Sequence, residues 1–560
     1  MPSFLELVLL LSPLLWAMLL TVLALAAGFG IVARLAGRVQ EGGVLRLALA
    51  PALGLGLLGQ ALFLCGICGR FGAGAAMAVA ALALAAGARS LKAARGDVAA
   101  ILADLRRHRL ALGILAVGAL AGPAWLALYP PVAWDDTIYH LPLARSLVEH
   151  GRYLFVENLR APVFPLLAET LFAPALLFGR ASTAHGVSLL ATLATALLLL
   201  AWGRDRFACP REAGGSMVWA LAPAAIWIGQ PIVVFYAGST FVEPLLTLFS
   251  TASIVAFERW RRDRRLAWLL AAGAFAGWAA ATKYLALYLL AALALAAVCE
   301  AGRGFRFPAL AGFASAAALA GTPWYLLIWG LTGNPLFPFL SNLFGAGAWS
   351  GAEAAVRNSV DSGWTQQAGA VVRLGWDLVV ERSRVNAQPP ASPLVIAALP
   401  LLLYLGWRRR WARVWVVILA GFVLAFLALP RDARYLMPYS PLLSLLIVAA
   451  LRVAAGAIVG LGLATGAAYA VWRTWIYGPP PVAATAIDAF LAQRVPLYRV
   501  LLFRREQGLS GVPVYALHGE RLHDFGGAAL LGDWLGPYRF QLVLPLLDRP
   551  ERRDGLLALA

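Results

Sequence analysis

Apolar residues run in long blocks along this 560-residue chain, and polar residues are confined to the gaps between them. Blocks of about 17–25 residues match the helix length needed to cross about 30 Å of hydrocarbon. The pattern predicts about fourteen membrane-spanning helices. They fall near 5–33, 44–69, 72–89, 110–129, 185–202, 217–236, 240–257, 265–282, 284–299, 307–331, 391–406, 411–429, 436–451 and 453–476. The first block has no basic leader, carries Glu6 and lacks a small-residue cleavage site, so it reads as a retained span. The expected fold class is an all-α polytopic membrane protein.

Composition agrees. Hydrophobic residues make up 61% of the chain and charged residues 13%, with a mean hydropathy of +0.76, which excludes an ordinary soluble protein. The net charge of +18 invites a nucleic-acid reading. Its distribution argues against one. Basic residues cluster in short connectors, at Arg34/Arg38, Arg89 to Arg109, Arg204 to Arg211, Arg259 to Arg265, Arg303/Arg306 and Arg408 to Arg413. With the spans above, every cluster falls on one face, which the positive-inside rule assigns to the cytoplasm. No nucleic-acid partner is expected. Cys65 and Cys68 lack a matching second pair and Cys209 and Cys299 stand alone, so the cysteines read as small buried apolar side chains or a local redox or disulfide pair rather than a zinc site.

The same topology puts three larger segments on the extracytoplasmic face: 130–184, 332–390 and everything after about 478. Residues 163–180 are apolar but hold Pro165, Glu169 and Pro174, and read as a helix lying at or dipping into the outer membrane surface. Pro479, Pro480 and Pro481 make a stiff linker. Beyond it, 486–507 reads as an amphipathic helix and "GVPVYALHG" (511–519) as a strand, a small soluble α/β domain. The chain thus divides into N-terminal helices (1–109), a membrane module (110–478) and an extracytoplasmic C-terminal domain (479–560). No repeat of 20–50 residues is apparent.

Candidate chemistry collects at the outer ends of the helices. Asp135, Asp136, Tyr139 and His140 stand in "AWDDTIYHLPLARS"; Glu243 opens the 240–257 block; Lys283 separates two short blocks; Arg431, Asp432, Arg434 and Tyr435 stand in "RDARYLMPYSP". Ionisable groups delivered to one level by distant segments are how a site is assembled between helices. Each has a plainer reading. The aspartates could cap the short helix that follows, and Lys283, one of two lysines in the chain, could snorkel outward. His140 reads as a proton carrier, a metal ligand or polar filler. Arg434 reads as an interfacial anchor or, with Arg431, as a bidentate phosphate clamp. Trp349, Trp364 and Trp376 could stack on a sugar ring or belong to an aromatic belt.

"AWDDTIYHLPLA", "GWAAATKYLALYLL", "TGNPLFPFLSNLFG" and "RDARYLMPYSP", in this order and on this face, resemble the GT-C glycosyltransferases of family 39. That family includes protein O-mannosyltransferases and lipid A aminoarabinose transferases. The resemblance covers roughly 110–560. It implies a GT-C membrane fold and transfer of a sugar, with inversion, from a polyprenyl-phosphate carrier to an extracytoplasmic glycan, lipid or protein acceptor. Asp135 or Asp136 would be the base, taking the acceptor hydroxyl's proton. Lys283, Arg434, Arg431, Arg160 and Tyr139 would hold the lipid phosphate or substrate. Asp135, Glu243 and His140 could bind a divalent metal, Mg or Mn. Two departures stand out: the acidic pair is Asp-Asp rather than Asp-Glu, and "RAPVFP" matches the family's basic-Pro-Pro segment only loosely. The expected location is a bacterial inner membrane, with the catalytic face periplasmic.

Two other functions fit a polytopic chain. A transporter or flippase of lipid-linked intermediates would carry its ionisable groups and broken helices near the midplane, often in inverted repeats. A non-catalytic envelope-assembly subunit would bind no lipid phosphate and tolerate loss of Lys283.

Overall fold

The computed structural model describes residues 3–36, 42–106, 120–207, 215–345, 368–387, 389–391, 402–426, 432–451, 455–534, 536–539 and 543. Among these residues the chain is almost wholly helical. Six helices are long and apolar enough to cross a membrane: Ser12–Ala36, Gly43–Ile67, Ala73–Leu102, Ala181–Phe207, Arg306–Thr332 and Ala433–Leu451. A bent pair, Trp219–Ile228 and Pro231–Ala237, brings the number to seven if it is one span. Half of the expected span at 110–129 and most of that at 391–406 lie outside the described residues, as do Arg431, Trp349 and Trp364.

Several segments differ from their expected form for identifiable reasons. The block at 217–236 breaks at Gly229–Gln230 and bends by 68°. Pro231 begins the second piece with no N–H to donate. Gly229 is pressed against the backbone of Gly462, where a Cβ would stand 1.9 Å from the Gly462 carbonyl oxygen. The block at 72–89 continues as one helix, Ala73–Arg106, into the basic connector. Residues 163–180 form a helix, Leu167–Phe178, whose residues 167–175 are all buried in protein. At 1.5 Å per residue it reaches only about 18 Å, and its burial explains why it reads as apolar without spanning. Cys65 is half-buried, and Cys68 and Cys299 are exposed, not buried as expected.

The N-terminal helices pack at backbone contact. A Cβ on Gly54 would lie 2.0 Å from the Ala24 carbonyl oxygen, and one on Gly87 2.3 Å from that of Ala26. Small residues allow this approach between apolar helices, where packing rather than water exclusion drives association. Gly54→Leu is expected to cost about 1–3 kcal/mol by forcing the helices apart, read as a lower melting temperature in detergent. Gly96→Ala, in open space within a helix, is expected to be neutral or to stabilise by up to about 1 kcal/mol.

The C-terminal segment forms two helices, Ala484–Arg494 and Tyr498–Glu506, where one was expected. The break falls at Pro496, followed by Leu497 at φ 63°. The expected strand is two residues, Val514–Tyr515, paired in parallel with Leu530–Leu531. The segment's apolar side chains join one cluster with Leu126, Tyr129, Val234 and Tyr469. It is therefore packed against the helices that carry Leu126, Val234 and Tyr469.

Candidate active site

Four chain breaks converge on one cavity of about 1020 Å³. The first is a π-helical turn, Asp136–His140, leading into the helix Leu141–His150 with Pro142 in its first turn. A π turn widens the helix by one residue and changes where its side chains aim. Asp135 and Tyr139 share a face, and the Tyr139 hydroxyl donates to Asp135 Oδ2 at 2.8 Å. Asp136 faces the other way and accepts from the Thr240 N–H at 3.1 Å. Asp135 lines the large cavity; Asp136 lines a small side cavity near Tyr129 and Arg473.

The second break is the loop before helix Glu243–Asp263. Glu243 sits in its first turn beside Pro244, where a carboxylate faces the positive end of the helix dipole. The third is Lys283, whose extended backbone (φ −161°) ends helix Leu266–Thr282. Its ammonium reaches Glu243 Oε1 at 2.6 Å and lies 5.0 Å from the Tyr435 ring centre. The fourth is the 3₁₀ turn Ala433–Tyr439, capped by the Asp432 side chain, which accepts from the Arg434 N–H. Asn386 holds the other Asp432 oxygen at 3.0 Å.

Arg434 is the hub. Its guanidinium is ion-paired to Asp135, to Asp432 at 3.1 Å and to Glu243 at 3.7 Å, and covers the Phe241 ring at 5.2 Å. Two cations thus serve three carboxylates in a site where Asp135 and Glu243 are buried. Burial favours the neutral form of Asp135, but the charges of Arg434, His140 and Lys283 outweigh it and hold the carboxyl down at about 2. Burial pushes Asp136 well above the usual carboxylate range, with the Asp135 charge adding to the rise against the Thr240 hydrogen bonds. The two neighbours are driven apart, Asp135 toward its anionic form and Asp136 toward its neutral form.

Arg160 also lines the cavity. Among the sequence-predicted residues, Asp135, Tyr139, Glu243, Lys283 and Arg434 come together; Asp136 is turned aside. His140 is adjacent but engaged elsewhere, with Nδ1 2.6 Å from Glu169 Oε1. The set Asp135, Glu243 and His140 does not suit a divalent metal. Arg434 is ion-paired to both carboxylates, Glu169 occupies the histidine, and no group of three such ligands is found among the described residues.

Glu169 and Asp432 were not assigned a role from sequence. The signal for Glu169 was present, a lone carboxylate in an apolar run, which by default marks a buried pair or a functional site. Its partner 29 residues away could not be read from spacing. Glu169→Ala leaves the buried His140 without this partner and is expected to cost about 1–3 kcal/mol, read as a lower melting temperature in detergent.

No family model matches the chain. A stretch of 53 residues is 53% identical to an uncharacterized protein of Shigella flexneri; it makes up 10% of this chain and 27% of that protein's length. Two solved structures are similar to the chain, at 14% and 15% sequence identity. They are crystal structures of ArnT from Cupriavidus metallidurans, one bound to undecaprenyl phosphate and one in the apo state. The first match covers 80% of this chain and 89% of that one, with a TM-score of 0.49. The second covers 76% and 85%, with a TM-score of 0.48.

Proposed function

We propose that this protein is a membrane glycosyltransferase that moves a sugar from a polyprenyl-phosphate donor to a hydroxyl acceptor on the extracytoplasmic side. One observation carries the reading. A buried carboxylate, Asp135, faces a large, mostly apolar cavity beside two cations, Lys283 and Arg434. The motifs that resemble family 39 fall on this same cavity, and the basic connectors lie at the opposite helix ends by the positive-inside rule.

The residues divide the work as follows. The acceptor oxygen attacks the anomeric carbon, the bond from that carbon to the phosphate oxygen breaks, and the phosphate leaves with the electron pair. Asp135 takes the hydroxyl proton as the new bond forms. Lys283, Arg434 and Arg160 are cations that can meet the leaving phosphate in a site of low dielectric. A single displacement, with the acceptor and its base on the face opposite the leaving phosphate, inverts the anomeric configuration. No step is assigned to a metal.

A carboxyl held at about 2 is a poor proton acceptor while Arg434 belongs to it. When the donor's phosphate draws the guanidinium away, Asp135 loses part of that stabilisation and becomes more basic. This gives a prediction about pH. Activity needs the ionised carboxylate and so falls on the acid side. The acid limb of kcat, which reports the substrate complex, is expected at higher pH than that of kcat/KM, which reports the free protein. Coincident limbs would contradict the exchange of partners. Because the folded pKa of Asp135 is depressed, its contribution to stability is present above about pH 4 and lost as pH falls toward 2.

The test of the function is transfer by the purified full-length protein in liposomes. Donors are labelled undecaprenyl-phosphate sugars, and the acceptor is envelope from a strain lacking the protein. Label should move to the envelope fraction and polyprenyl phosphate should be released. Transport of the donor across the bilayer without release would instead support a flippase.

A further inference from the structure

Among the described residues of the C-terminal segment, Trp534 lines the cavity, together with Arg160. The residue before it, Asp533, is almost completely buried at 1% exposure, yet it is ionisable and lies at a junction of two distant segments. Its Oδ2 accepts the Arg160 backbone N–H at 2.9 Å and lies 3.1 Å from His523 Nε2. Its Oδ1 accepts the Trp534 backbone N–H. One carboxylate therefore holds the backbone at two residues that line the cavity, Arg160 and Trp534.

The junction is reinforced on either side. Asn158 donates to the Leu530 carbonyl at 2.9 Å, and Arg145 pairs with the buried Asp524 at 2.9 Å. Arg521 donates to the Val132 carbonyl and lies 5.8 Å from the Trp134 ring centre. A buried carboxylate is costly unless its oxygens are satisfied. Here they are satisfied by the backbone N–H groups of Arg160 and Trp534, both at the cavity wall, and by His523.

Resting on the glycosyltransferase reading above, we infer that Trp534 is a stacking platform for a sugar ring, and that Asp533 is the positioning residue that aims it. The indole offers a flat apolar face to the C–H groups of a pyranose, while Asp533 ties it to the loop carrying Arg160. The ring could belong to the donor or to a glycan acceptor, and kinetics separates the two. Sequence alone could not place Trp534, because it lies 374 residues from Arg160 and in a segment of mixed composition.

The experiment measures kcat and both KM values for the full chain in liposomes, varying undecaprenyl-phosphate sugar and acceptor membranes in turn. Trp534→Ala should raise one KM about tenfold, with kcat and melting temperature little changed. Trp534→Phe should recover most of that loss. A raised donor KM places the ring on the donor, and a raised acceptor KM on the acceptor. Asp533→Asn should raise the same KM as Trp534→Ala. If the wild type transfers sugar and Trp534→Ala leaves both KM values unchanged, the inference fails while the function stands. If Asp533→Asn lowers only the melting temperature, its positioning role fails. If the wild type transfers nothing, the glycosyltransferase reading fails and takes this inference with it.

Discussion

Asp135→Asn is expected to lower the transfer rate by about 10²–10⁴, the range lost when a positioned proton acceptor is removed. The amide keeps the size and still accepts the Tyr139 hydroxyl, which lies 2.8 Å away in the wild type. It cannot take the acceptor's proton. Asp136→Asn is the informative comparison. Asp136 faces Thr240 and the small side cavity, and burial already biases it toward the neutral form. Its amide should therefore retain activity within a fewfold of wild type. Equal losses in the two variants would mean that the acidic pair acts as a unit and that the orientation described here is not the working one.

Arg434→Met is expected to have the largest combined effect, on stability as well as on rate. Arg434 is paired with Asp135, Asp432 and Glu243. Among the described residues, removing it leaves Lys283, paired with Glu243, as the only cation in contact with that group of three carboxylates. Breaking a buried ion pair by deleting one partner costs about 3–5 kcal/mol, so the melting temperature in detergent should fall markedly. All three carboxylates should also shift upward, since the Arg434 charge that lowers each is gone. Arg434→Lys restores charge but not the planar fork that reaches three acids at once, and should recover only part of the stability. A silent Arg434→Met would mean that the network carries neither function nor fold.

The parts of this site that the sequence shows are those with local signals. An acidic pair after an apolar block, a lysine interrupting an apolar run and a charged cluster opening another are each visible because charge is rare in such a chain. That Asp135, Glu243, Lys283 and Arg434 share one level follows from counting spans, since each stands at a helix end. Which member of the acidic pair faces the cavity does not follow. That choice is made by the π turn at 136–140, a one-residue change in helical winding with no compositional mark. Glu169 pairs with His140 across a segment whose apolar character suggested a membrane surface, whereas its helix is buried within the protein. The bend at Gly229 depends on close approach to Gly462, a contact between residues 233 positions apart. Local periodicity reports helices well; it does not report which helices are short, broken or enclosed by others.

The N-terminal helices illustrate a different limit. Their small residues are visible in sequence, but Ala and Gly are abundant throughout this chain. Only the structure separates Gly54, which is pressed against Ala24, from Gly96, which stands in open space. The same is true of the C-terminal segment. Its mixed composition suggests an independent domain, yet its apolar residues share a cluster with Leu126 and Tyr469 of the membrane module.

The most direct test is a single-turnover transfer assay in liposomes, comparing wild type, Asp135→Asn and Asp136→Asn at matched folding. Labelled undecaprenyl-phosphate sugar supplies the donor and deletion-strain envelope the acceptor. Release of undecaprenyl phosphate and labelling of the envelope by wild type and Asp136→Asn, with neither by Asp135→Asn, is the predicted result. Transfer by Asp135→Asn at the wild-type rate would contradict the assignment of the base.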